Sequence, residues 1–187
     1  RKIWLAGQVV YIVCATAIYT VAILLSTILI CGQRCYVGNI WSETAVKLAF
    51  TSAGKKLSLA ASEKTLELTR PYACMTTIFF LLFAYALVMV LLIFWFRILW
   101  NELAGMIAGV VFNGISFIFS PGVLQKLLGI SERKSYLANV AAGWISPLSH
   151  ATYHLHNFGY DRLPSLRASG IYDMILVIVL ILLNLYS

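Results

Sequence analysis

Long uncharged runs organise this chain. From Ile3 to Ile30 no side chain carries a charge, and the runs from Pro71 to Phe96 and from Leu103 to Gln125 repeat the pattern. A helix rises about 1.5 Å per residue, so roughly 20 apolar residues cross the ~30 Å hydrocarbon core of a bilayer. The pattern predicts spanning helices at about 5–30, 73–95, 103–120 and 171–186, joined by polar connections at 32–71 and 121–170. Trp4 marks one interface and Cys31-Gly32 ends the first helix. Pro71 opens the second, where its missing N–H costs nothing. Between Trp95 and Glu102, two Trp, one Arg, one Asn and one Glu predict a tight helical hairpin at headgroup depth.

The two polar connections differ. The first holds Ala, Leu, Lys and Glu in proportions that predict one or two short helices. In the second, Tyr136 to Ile145 is apolar over too few residues to span, and predicts a short re-entrant or interfacial helix. The expected fold is all-α: a polytopic membrane helical bundle with four spanning helices and one short re-entrant or interfacial helix, a single transmembrane domain over 1–187.

Composition agrees. Hydrophobic residues make up 61% and charged residues 11% of the chain, against about 45–50% and 25% in soluble domains. The net charge of +7 does not point to nucleic acid, because Lys47, Lys55, Lys56, Lys64, Lys126, Arg133 and Lys134 fall between the apolar runs, where basic residues meet anionic headgroups or set topology. The opening Arg1-Lys2 precedes an apolar run far longer than the 7–15 residues or so of a secretory signal.

Candidate chemistry is sparse. His150 and His154 stand one helical turn apart with His156 close by, a spacing that could serve a metal. Ala151, however, occupies the place where a hydrolytic zinc helix carries Glu. Cys14 lies inside the first helix, while Cys31, Cys35 and Cys74 fall at one face, either as free thiols or as disulfide partners. Polar residues inside spans often mark pathways, which singles out Asn113 and Asp173 as translocation-path candidates. Gly105 and Gly109 have the small-xxx-small spacing of a close helix contact. Ser52-Ala53-Gly54-Lys55-Lys56 lacks the first Gly of a phosphate-binding loop. The residues predict no catalytic group, no metal set, no cofactor and no ATPase motif.

Several stretches together resemble the bacterial type-2 ABC transporter permeases. These are Arg1-Lys2-Ile3-Trp4-Leu5-Ala6-Gly7-Gln8 before a Tyr-rich helix, Asn39-Ile40-Trp41-Ser42, Ser146-Pro147-Leu148-Ser149-His150, and Leu163-Pro164-Ser165-Leu166 before the last helix. The resemblance implies a six-helix permease of the bacterial plasma membrane, with the four predicted spans as its last four and two spans upstream of Arg1. It also implies a separate ATPase subunit, a second permease subunit as homo- or heterodimer, a lipid bilayer, no nucleic acid, and export of an unidentified substrate. Arg1-Lys2 and the 97–102 hairpin would face the cytosol. Most of the Lys and Arg residues lie in the opposite connections, so the positive-inside rule alone would invert the chain. Two alternatives stand beside this reading: a membrane-embedded metal-dependent enzyme using His150, His154 and His156, and a structural subunit packing through Gly105 and Gly109.

Overall fold

The structure, a computed structural model, describes residues 2–31, 38–51, 63–119, 123, 129, 132–157 and 162–187. In chain order the helices are α1 (Lys2–Cys31), α2 (Glu43–Phe50), α3 (Glu63–Leu68), α4 (Pro71–Leu99), α5 (Glu102–Ile118), α6 (Glu132–Ile145), α7 (Pro147–Ala151), a 3-10 turn (Tyr153–Leu155) and α8 (Leu166–Tyr186). No strand occurs among the described residues.

Three stretches are long and apolar enough to cross a membrane: Ile3–Ser26 in α1, Pro71–Leu99 in α4 and Leu166–Tyr186 in α8. They mark a membrane-embedded protein. The expected span at 103–120 is the helix α5, but its 17 residues cover only about 25 Å at the helical rise. It starts where Asn101 caps it, the side-chain oxygen accepting from the Ala104 N–H at 2.8 Å, and it closes at Phe119.

Helix boundaries differ from the sequence expectation in two informative places. The last helix begins at Leu166, ahead of the expected 171, because the Ser165 hydroxyl accepts from the Ala168 N–H at 3.2 Å and so caps an extra turn. Gly170 is therefore internal to α8 and not its boundary. The second long helix runs on to Leu99, which confines the hairpin turn to Trp100 and Asn101. There Arg97 and Glu102 pair across the turn at 3.2 Å, both exposed.

α4 is the centre of the bundle, with α1, α5 and α8 packed around it. Val9 and Ile12 of α1, Leu87, Val88 and Leu91 of α4, and Leu180 of α8 form the buried core. Lipid tails are as apolar as these side chains, so burial alone does little to hold the helices; close packing and hydrogen bonds between helices do more. Both are present. A Cβ at Gly105 would stand 2.6 Å from the Ile93 carbonyl oxygen, and one at Gly109 would stand 2.9 Å from the Ile93 side chain. The two glycines thus seat α5 directly on α4 of the same chain. Asn184 of α8 donates from Nδ2 to the Leu91 carbonyl of α4 at 3.1 Å, and Trp95 Nε1 donates to Ser187 Oγ at 3.0 Å. Since Leu166 packs beside Cys74 and Leu81 at the other end, α4 and α8 run parallel.

The polar connections are anchored at this second end. Trp41 Nε1 donates to the Thr69 carbonyl at 2.9 Å, and Asn39 Oδ1 accepts from the Tyr72 N–H at the start of α4 at 3.1 Å. α7 packs against α4, α5, α6 and α8. Ser146 caps it and donates its hydroxyl to the Ser116 carbonyl near the end of α5 at 2.7 Å.

Candidate functional site

A buried polar cluster lies where α7, the 3-10 turn and α8 meet. Ser165 sets the start of α8, and the helical period then puts Ser169, Asp173, Leu180 and Asn184 on its buried face. Pro147 begins α7 after the Ser146 cap and carries Ser149 and His150 inward, both fully buried. The chain leaves the helix at Thr152, and the following turn swings His156 back to the same place.

Ser169 joins the two imidazoles. Its Oγ lies 2.8 Å from His150 Nδ1 and 2.8 Å from His156 Nε2. The other nitrogen of each ring faces a backbone carbonyl. His150 Nε2 lies 3.1 Å from the Trp144 oxygen, and His156 Nδ1 lies 3.0 Å from that of Thr152 and 3.1 Å from that of Tyr153. Carbonyls only accept, so they fix the tautomers: His150 is protonated on Nε2 and His156 on Nδ1. Both nitrogens facing Ser169 are then acceptors, and one hydroxyl proton serves them in alternation. A second proton would complete both bonds, but it would leave a buried cation.

Desolvation decides against that cation. Burial pushes His150 below the ordinary imidazole value of 6.5, more strongly than the Trp144 carbonyl raises it. Burial likewise lowers His156, against the pull of the Tyr153 and Thr152 carbonyls. The His150 ring stacks on Tyr172 with centroids 4.0 Å apart. Ser169 at 0% exposure and the two histidines at 0% and 2% place the whole cluster in the interior. The cluster works as a joint between α7 and α8.

Asp173 lies one turn beyond Ser169. It is 3% exposed, and its Oδ2 has no hydrogen-bond partner among the described residues. It lines a cleft of about 580 Å³ between the first halves of α4 and α8, together with Thr76, Phe80, Ala84 and Met174. An ionised carboxylate in such a place is costly without a cation.

The remaining candidates fall elsewhere. Asn113 is on an exposed part of α5, where its side-chain oxygen accepts from the Tyr85 hydroxyl of α4 at 2.5 Å. Gly105 and Gly109 are occupied by α4. Cys14 and Cys74 are free thiols, Cys74 buried; Cys35 and the side chains of Cys31 and His154 lie outside the described residues. Among the described residues no group of three or more His, Cys, Asp or Glu side chains is arranged to hold a metal ion. Ser149, Ser169 and Asn184 were not singled out by sequence. For Ser169 and Asn184 the signal was the i, i+4 repetition of polar residues at 169 and 173, and the lone Asn184 in an otherwise aliphatic run.

No protein-family model matches this chain, and neither a curated protein nor a solved structure matches it.

Proposed function

We propose that this chain is a membrane-spanning permease subunit of an ATP-binding-cassette exporter, multi-pass in a bacterial plasma membrane, with ATP hydrolysed by a separate subunit. One observation carries the reading: the short helix α7, between α5 and the last helix, packs into the bundle against α4, α5 and α8. The type-2 permease resemblance calls for a membrane-dipping element around Tyr136–Ile145, which is α6, and α6 is joined to the bundle by packing against α7. Three of the four quoted stretches also lie at joints of the fold. Asn39 and Trp41 tie the first connection to α4, Ser146 and His150 hold α7, and Ser165 starts α8.

In this reading α5 is the third of the four spans, helped across by its aromatic end and by local thinning of the bilayer. The α4–α5 turn faces the cytosol, and the second permease subunit completes the path. Affinity purification of the protein from its native membrane tests the proposal. A stoichiometric partner carrying a phosphate-binding loop and hydrolysing ATP is the expected result. Recovery of the intact membrane protein without any nucleotide-hydrolysing subunit would overturn it.

A further inference from the structure

We infer that the cleft between α4 and α8 binds an amphipathic cation, a hydrophobic body bearing one protonated amine, with Asp173 as its counter-ion. The acid and the cavity are independent observations that converge. Asp173 is buried in the apolar helix α8 with one carboxylate oxygen unpartnered among the described residues. The ion pairs formed by described residues, Lys47 with Glu43 and Arg97 with Glu102, lie away from it. Nothing in the described protein therefore supplies its positive charge, and the cleft it lines has room for a guest that does.

The walls define the rest of the guest. Phe80, Phe83, Leu87, Met174 and Val177 are apolar, and the polar side chains beside Asp173 are the hydroxyls of Thr76 and Thr77. Thr77 already donates to the Ala73 carbonyl at 2.7 Å, which leaves its oxygen to accept. Asp173 is the one charged side chain among the described residues that line the cleft, and a carboxylate on an otherwise apolar surface matches an ammonium group on a greasy body and repels a phosphate or a carboxylate. A volume of about 580 Å³ falls within the usual range for small-molecule pockets, roughly 300–1,000 Å³. That this guest is the transported cargo rests on the permease reading; the site itself does not.

The test uses the protein in lipid nanodiscs and two fluorescent probes with one body: dansylcadaverine, which carries a primary ammonium, and its N-acetylated neutral form. The ammonium probe is expected to bind roughly tenfold or more tightly than the neutral one, the worth of a charge-assisted hydrogen bond. Asp173→Asn is expected to abolish the difference, and Asp173→Glu to preserve it. Ala84→Phe, which fills the cleft and leaves the carboxylate in place, is expected to weaken binding of both probes, so the proposal stays testable if the Asn variant folds poorly. Equal binding of the two probes, or unchanged binding in Asp173→Asn, would overturn the ligand class. No ATPase is present in this assay, so its failure leaves the permease reading to the co-purification, and failure of the co-purification leaves this site standing.

Discussion

Ser169 carries more of the candidate site than any other residue, because both buried imidazoles depend on one hydroxyl. Ser169→Ala leaves two ring nitrogens without a partner, and a loss of about 1–3 kcal/mol is expected in thermal or denaturant unfolding of the detergent-solubilised protein. The rings also set a pH dependence. Burial holds His150 and His156 below 6.5 in the folded chain, so below that pH the unfolded chain binds more protons. Stability is then fully present above about 6.5 and lost as pH falls toward the lowered values. Melting curves between neutral and mildly acidic pH should show this loss, and replacing both rings with Gln should flatten it. Asp173 was legible in the sequence because a charge in an apolar run stands out. The histidine pairing was not: helical spacing favours 150 with 154, but the chain leaves the helix at Thr152 and the 3-10 turn brings 156 to Ser169 in its place.

Between elements, the contact of α4 with α5 is the tightest. Gly105→Ala would drive a methyl into the Ile93 backbone oxygen, which cannot swing aside as a side chain can. A destabilisation of about 1–3 kcal/mol is expected, the usual cost of overpacking. Gly114 on the same helix faces open space, with nothing within 4 Å of where a Cβ would stand, so Gly114→Ala should instead gain about 0.5–1 kcal/mol from helix propensity alone. Comparing the two variants by unfolding separates packing from propensity. The existence of every long helix was legible, since uncharged length is a strong signal. The ends were less so. Gly170 reads as a breaker in isolation, yet the Ser165 cap and the inward face of Ser169 and Asp173 carry the helix through it. The small-xxx-small spacing gave a close contact without naming its partner, which is α4 of the same chain.

At the scale of the whole molecule, α1 and α5 run opposite to α4 and α8, which gathers Lys2, the 97–102 turn and Ser187 at one end. Orientation follows from testing that end. In a background without other accessible thiols, Asn101→Cys should react with an impermeant maleimide only after the cells are permeabilised; ready labelling of intact cells would invert the proposed topology. What stayed hidden from sequence at this scale was how the short helices are used, because α7 is buried through contacts with four partners that no local pattern encodes. The glycine seat has a mechanical corollary. With α4 and α5 in contact along Ile93, neither Gly105 nor Gly109 can take a side chain without Ile93 or one helix giving way. Sliding α5 along α4 would have to carry the backbones of Gly105 and Gly109 past Ile93.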